Sequence, residues 1–121
     1  TLVLPRIERG DRTLHLYAVA DHRTLLARGL WGIRRRHADL CSPVSVSQLD
    51  FVLVPGVAFT RRCERLGYGG GFYDRLLAST RDGTAAVAIA FGMQVVEEVP
   101  TGPLDRPVDA IVTEDDVIRC R

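Results

Sequence analysis

Lysine is absent from this chain of 121 residues, and all 16 of its basic residues are arginine. A phosphate-binding loop of the GxxxxGK[ST] type needs a lysine, so the sequence excludes that class of nucleotide site. Any bound phosphate would have to be met by arginine side chains and by backbone N–H groups.

Long hydrophobic runs and a strong excess of one charge are also missing. The longest apolar stretches, such as 85–91, are far shorter than the roughly 20 residues that a membrane-spanning helix needs. The formal net charge is +1, and the basic run at 34–37 is too short to indicate a nucleic-acid surface. We therefore expect neither a membrane nor a nucleic-acid partner.

Cysteine is scarce and irregularly spaced. Cys41, Cys63 and Cys120 are odd in number and show no CxxC spacing. This pattern indicates neither a disulfide framework nor a zinc site. It favours a reducing, cytoplasmic setting.

The length and the 46% hydrophobic content predict one compact domain, 1–121. Short apolar runs alternate with helical stretches, which is typical of a three-layer α/β sandwich with a mostly parallel, Rossmann-like sheet. The predicted strands cover 2–4, 14–19, 51–54, 85–91 and 110–112, and the predicted helices cover 22–28, 46–49, 72–79 and 93–96. The runs at 51 and 85 are apolar on both faces, so we expect helices to cover both sides of the sheet.

The segment 65–74, with the sequence RLGYGGGFYD, is the most informative part of the chain. Glycines adopt positive φ and let a ligand approach closely, so their N–H groups can converge on phosphate oxygens. A helix that follows would point its N-terminal dipole at the same anion. Without its flanks the pattern is equally compatible with a flexible surface turn.

The flanks extend the pattern. Upstream lies the stretch 49–59, the glycine segment continues to 77, and downstream come Phe91, Gln94, Asp105 and the stretch 108–114. Taken together, these residues resemble the 5-formyltetrahydrofolate cyclo-ligase family, also called methenyltetrahydrofolate synthetase. The resemblance runs from about residue 2 to residue 118.

This resemblance implies a site for ATP. It implies that the phosphates are contacted by Arg65, Gly67, Gly69, Gly70 and Gly71, and that the ATP-binding residues also include Tyr68, Phe72 and Tyr73. Arg65 and Tyr73 are the implied catalytic residues, and a guanidinium can fork two phosphate oxygens. A solvated arginine on a surface loop is the alternative for Arg65.

The resemblance also implies a Mg²⁺ ion, held by Asp74 and less firmly by Asp105. A stabilising role in the first helical turn is the alternative for Asp74. Trp31, Phe59 and Tyr73 are the implied contacts of a reduced folate, since an aromatic face suits a flat ring. A role in the core is the alternative for Trp31.

The implied activity is the ATP- and Mg²⁺-dependent conversion of 5-formyltetrahydrofolate to 5,10-methenyltetrahydrofolate, ADP and phosphate. Arginine, backbone N–H groups and Mg²⁺ would neutralise charge without a covalent nucleophile. Two alternatives stay open. One is a truncated or diverged paralogue that binds nucleotide without turnover, and the other is a phosphate-binding module with no folate link.

Members of the resembled family carry a further N-terminal region before the equivalent of Leu2. The resemblance thus implies that this chain corresponds to the later, larger part of such a protein. A sheet without that region would leave an apolar face or an open edge uncovered. We therefore expect a homodimer or aggregation.

Overall fold

A computed structural model of the chain describes residues 1–7, 10, 13–19 and 41–121. They belong to two compact units, 1–45 and 46–121. Trp31, the predicted helix at 22–28 and the basic run at 34–37 lie outside the described residues. The assignment of 1–121 to a single domain stays a prediction.

The first unit contains a small antiparallel sheet in the order β1–β2–β3. Its strands are β1 (Val3–Ile7), β2 (Leu14–Val19) and β3 (Cys41–Val44). Strand β2 has the predicted bounds, because buried Leu14 and Leu16 alternate with the less covered His15 and Tyr17. Strand β1 continues beyond the predicted 2–4 in spite of Pro5, which an edge strand tolerates.

The second unit contains the remaining elements. These are β4 (Phe51–Leu53), β5 (Ala58–Phe59), β6 (Arg65–Leu66), α1 (Phe72–Ala78), β7 (Ala85–Ile89), β8 (Ala110–Val112) and β9 (Val117–Arg119). The short helices predicted at 46–49 and 93–96 are 3₁₀ turns at Val46–Gln48 and Gly92–Gln94.

A four-stranded sheet in the order β4–β7–β8–β9 forms the core of this unit. Its buried face carries Val52, Ala86, Ala88 and Ile111. On the opposite face Phe51, Leu53 and Ile89 are 57%, 55% and 66% exposed. The expectation that helices cover both faces therefore does not hold for these three residues.

Strand direction differs from the prediction. Apolar runs predict buried strands, but the identity of their side chains does not fix whether neighbouring strands run parallel. Strand β7 is parallel to β4 and β8, whereas the pairs β1–β2, β2–β3, β5–β6 and β8–β9 are antiparallel. The protein has a mixed α/β fold with largely antiparallel sheets, so the predicted mostly parallel, Rossmann-like sandwich is not confirmed.

The hairpin of β5 and β6 leads into the glycine segment, with Phe59 paired to Arg65. The hydroxyl of Thr60 holds the turn by accepting the N–H groups of Arg62 and Glu64, each at 3.3 Å. These strands of two residues each were not predicted, because periodicity needs a longer window.

Helix α1 begins directly after Gly71 and ends one residue before the predicted end. Gly71 has φ of 67°, a left-handed conformation that favours glycine at this N-cap. The helix buries Leu76, and the N–H of Ser79 closes its end on the Leu76 carbonyl at 3.0 Å. Within the described parts of the chain, no helix has the length and apolar character needed to cross a membrane.

Two of the three cysteines are joined. Cys63 and Cys120 form a disulfide with a Cα–Cα distance of 6.2 Å across a sequence separation of 57. The expectation of no disulfide is wrong for this pair, because sequence spacing does not show which distant residues meet in space. The backbone brings them together, since the Val108 N–H donates to the Cys63 carbonyl at 3.0 Å and the Cys120 N–H donates to the carbonyl of the adjacent Asp109 at 2.9 Å.

Asp109 connects β7 to the end of the chain. Its Oδ2 accepts the N–H of Ala86 at 2.7 Å, and its own N–H donates to the Ala86 carbonyl at 2.7 Å. Its Oδ1 pairs with Arg121 at 3.0 Å, and its carbonyl accepts the N–H of Cys120 at 2.9 Å. Asp109 therefore supports both neighbours of β8 by hydrogen bonds.

Candidate functional site

Arg65 is the buried anchor of the glycine segment. Its side chain is 3% exposed, and its Nη2 lies 3.0 Å from Asp74 Oδ1. Its Nη1 donates to the Pro55 carbonyl at 3.0 Å, while its buried Nε has no hydrogen-bond partner among the described residues. A phosphate could reach this guanidinium only if its surroundings moved. The predicted phosphate contact therefore stays a prediction, and the observed contacts are those of a positioning residue.

Asp74 lies in the first turn of α1, at the other end of the ion pair. Its Oδ1 also accepts the N–H of Arg106 at 3.0 Å, and its side chain is 20% exposed. Asp105, the second predicted metal ligand, accepts the N–H of Gly102 at 2.7 Å with its Oδ2. No group of three or more His, Cys, Asp or Glu residues able to hold a metal occurs among the described residues.

The glycines of the loop differ in what makes a side chain unfavourable at each position. Gly69 has φ of 101°, and a Cβ placed there would meet no atom within 4 Å. A Cβ on Gly67 would lie 2.9 Å from Arg65 Nη1, and one on Gly70 would collide with the Phe72 ring. Neither of these two has positive φ. Gly69 is thus where a ligand can come closest to the backbone.

The aromatic residues of the segment occupy different surroundings. Tyr73 is partly buried, and burial raises the pKa of its hydroxyl above the ordinary 10.0, an effect that the nearby Arg65 charge reduces. Tyr73 is therefore a neutral hydrogen-bond donor at physiological pH. Tyr68 is 78% exposed. The Phe72 ring lies 5.4 Å below the Arg75 guanidinium, a cation–π contact.

Phe59, a predicted substrate contact, is completely buried. A Cβ on Gly56 would lie 2.6 Å from the Phe59 ring, so the ring packs directly under this backbone. A contact between Phe59 and substrate would require the residues around it to move. Gln94 holds the same region by donating to the Val57 carbonyl at 3.1 Å and accepting the Phe91 N–H at 2.8 Å.

Two arginine contributions to the site were missed by the sequence analysis. The Nη2 of Arg75 donates to the Gly70 carbonyl at 2.8 Å and so ties the loop to helix α1. The backbone N–H of Arg106 binds Asp74 from the segment before β8. Their partners are fixed by the fold, and no sequence spacing indicates them.

A cavity of about 860 Å³ is lined by other residues of the second unit. Its charged lining consists of Glu97, Glu98, Asp115 and Asp116 together with Arg61 and Arg62. Negative charges outnumber positive ones, which disfavours a polyphosphate. None of its lining residues belongs to 65–74, so the glycine segment remains the candidate site.

The amino-acid sequence of this chain is similar to those of known proteins. The sequence profile of the 5-formyltetrahydrofolate cyclo-ligase family matches residues 1–114. The chain is 40% identical over 80 residues to the 5-formyltetrahydrofolate cyclo-ligase of Escherichia coli (strain K12), which covers 65% of the chain and 44% of that protein. It is 28% identical over 122 residues to the probable 5-formyltetrahydrofolate cyclo-ligase of Schizosaccharomyces pombe, covering 91% and 60%.

Solved structures agree with the sequence matches. The NMR structure of Aquifex aeolicus 5,10-methenyltetrahydrofolate synthetase has a TM-score of 0.66 at 32% identity, covering 98% of this chain and 58% of that one. A 5,10-methenyltetrahydrofolate synthetase from Mycoplasma pneumoniae has a TM-score of 0.66 at 22% identity, a likeness of fold. The chain spans about half the length of the relatives it matches. Since the family profile covers nearly all of its residues, this chain belongs to the 5-formyltetrahydrofolate cyclo-ligase family.

Proposed function

We propose that this chain converts 5-formyltetrahydrofolate to 5,10-methenyltetrahydrofolate with ATP, releasing ADP and phosphate. The observation that carries the proposal is the loop at 67–71, which borders open space at Gly69 and begins two residues after the buried Arg65. Membership of the family supports the class of reaction.

Closing the ring at a formyl group is difficult because the formyl oxygen is a poor leaving group. ATP, as second substrate, supplies the phosphoryl group that lets this oxygen leave when the neighbouring amine attacks. Such a transfer asks the protein mainly for positioning and for neutralisation of charge. In our proposal Arg65 positions Asp74, Gly69 allows close backbone approach, and the neutral Tyr73 hydroxyl donates a hydrogen bond to the folate.

Magnesium fits these residues together with substrate phosphates. Proteins usually hold Mg²⁺ with one or two carboxylates, and phosphate oxygens and water complete the shell. Asp74 can offer Oδ2, because its hydrogen bonds with Arg65 and Arg106 both use Oδ1. Asp74 would be the first ligand and Asp105 the second, and the ion would neutralise phosphate charge.

The proposal includes the setting of the reaction. We propose a cytoplasmic enzyme with one catalytic domain, 1–121, whose partners are two small molecules, a reduced folate and ATP. Self-association into a homodimer belongs to the same proposal. Sedimentation equilibrium measures the number of chains directly.

Two glycine variants test the loop with a matched control. Gly69 and Gly83 have φ of 101° and 91°, and a Cβ on either meets nothing within 4 Å, so Gly→Ala strains both backbones similarly. We expect Gly69→Ala to lose most of the thermal protection that ATP gives, and Gly83→Ala to keep it. Equal protection of the two variants by ATP would contradict the loop assignment.

A nucleotide-binding relative without turnover is the second candidate, and the burial of Arg65 at 3% exposure favours it. Titration calorimetry with ATP and with 5-formyltetrahydrofolate separates the candidates. Both ligands bind in the ligase, and ATP alone binds in the second candidate. A phosphate-binding module without a folate link binds neither.

A further inference from the structure

The two halves of the disulfide lie in unlike surroundings. Cys63 has no exposed surface and lies in the β5–β6 turn with φ of 66°, a backbone conformation that residues other than glycine rarely adopt. Cys120 follows β9 and is exposed. Of the two halves of the disulfide, Cys120 is therefore the one in contact with solvent, whereas Cys63 is covered.

Cys120 also lines a cavity of about 380 Å³ in the second unit. The charged residues of that lining are Arg62, Arg106, Arg121 and Asp109. Asp109 pairs with Arg121 at 3.0 Å, and Arg62 pairs with Glu64 at 2.9 Å. Within the described part of the chain, the guanidinium of Arg106 has no acidic partner. Positive charge therefore exceeds negative charge beside the exposed Cys120.

These observations point to thiol–disulfide exchange. We infer that Cys120 is a site of reversible modification by a small anionic thiol, which the arginines of the cavity attract to the exposed half of the disulfide. Arginine next to a cysteine also favours its thiolate, the form that leaves and attacks in such exchange. The inference is independent of the proposed folate chemistry.

The exchange balances in two steps. The thiolate of the small thiol attacks the Cys120 sulfur, the Cys63–Cys120 bond breaks, and the electron pair leaves on the Cys63 sulfur, which takes a proton from water. Cys120 now carries the small thiol as a mixed disulfide. A second thiol molecule attacks this adduct, and the products are the oxidised small thiol and free Cys120.

Reduction would remove the covalent link between the β5–β6 turn and the end of the chain. In the oxidised protein the disulfide adds to two non-covalent contacts of this turn, the ion pair of Arg61 with Asp116 at 2.9 Å and the bond from the Val108 N–H to the Cys63 carbonyl at 3.0 Å. In the reduced protein these weaker contacts are left to hold the turn. Because Arg65 follows Cys63 by two residues, exchange at Cys120 acts close to the anchor of the glycine loop.

Mass spectrometry of the intact chain tests the inference with glutathione, an anionic thiol, and cysteamine, a cationic one. The protein carries Cys41→Ser so that only one pair can react, and thiols are alkylated to stop the exchange. Each rate is divided by the rate of the same thiol with a small free disulfide, which removes intrinsic differences in thiol reactivity. Peptide mapping then identifies the cysteine that carries the adduct.

We expect no alkylation before a thiol is added, a glutathione adduct on Cys120, and a normalised preference for glutathione of roughly tenfold at low salt. Arg106→Gln should reduce this preference several-fold. Arg119→Gln is the matched control, because Arg119 precedes Cys120 but does not line the cavity. Alkylation of Cys63 and Cys120 without a thiol, an adduct on Cys63, or equal effects of the two arginine variants would overturn the inference.

Discussion

Replacing Asp74 by asparagine should destabilise the folded chain by about 2–3 kcal/mol, with no ligand present. Arg65 is 3% exposed and its Nε has no partner in the described part of the chain, where Asp74 supplies the one carboxylate that pairs with this buried charge. Breaking a fully buried pair costs about 3–5 kcal/mol. We expect less because Asp74 is 20% exposed and the asparagine oxygen can still accept one hydrogen bond.

Urea unfolding followed by circular dichroism measures this loss in the absence of nucleotide and metal. Asp105→Asn is the matched control, because its exposed carboxylate accepts the Gly102 N–H, which an asparagine oxygen can also accept. A double-mutant cycle with Arg65→Met isolates the pairwise energy. If the free energy of unfolding of Asp74→Asn lies within about 0.5 kcal/mol of the parent value, the ion pair does not stabilise the fold as expected. The Asp74 carboxylate would then contribute only the weak effect of a negative charge in the first helical turn.

Three further changes probe other parts of the second unit. Asp109→Ala removes the acceptor of the Ala86 N–H and the partner of Arg121, so we expect a loss of about 2–3 kcal/mol in the same urea assay, and a loss below 1 kcal/mol would contradict it. Tyr73 has a raised pKa, so the folded state holds its proton more tightly than the unfolded state. Stability from this group is complete below pH 10.0 and is lost as pH rises through the folded pKa, and Tyr73→Phe should flatten that alkaline decline measured by thermal unfolding. Under reducing conditions Cys63→Gly should be more stable than Cys63→Ser by about 1 kcal/mol, since φ is 66°, and equal melting temperatures would show that the turn has relaxed.

The sequence predicted those strands and helices that can be recognised from the hydrophobic pattern of their own residues. Strand β2 alternates buried Leu14 and Leu16 with less covered residues, and its bounds were confirmed. Strand β8 was confirmed as Ala110–Val112, where an apolar run follows a polar turn residue. Helix α1 was predicted to within one residue because Gly71 fixes its start.

Long-range partners were not predictable in the same way. Strand direction depends on the path of the connecting chain. The antiparallel pairing of β8 with β9 therefore could not be predicted from the apolar residues of either strand. Arg65 was predicted to contact phosphate, which stays a prediction, but its burial and its hydrogen bonds to the Pro55 carbonyl and to Asp74 were not predicted. The pairing of Cys63 with Cys120 depends on where β9 ends relative to the β5–β6 turn.

The disulfide turns most of the second unit into a covalent ring, because Cys63 and Cys120 are 57 positions apart. The ring includes the glycine loop, helix α1 and the exposed stretch at 101–107. A protease that cuts within that stretch opens the ring without separating its pieces. The nicked chain should keep its apparent size on a gel without reductant and fall into two fragments when reductant is added.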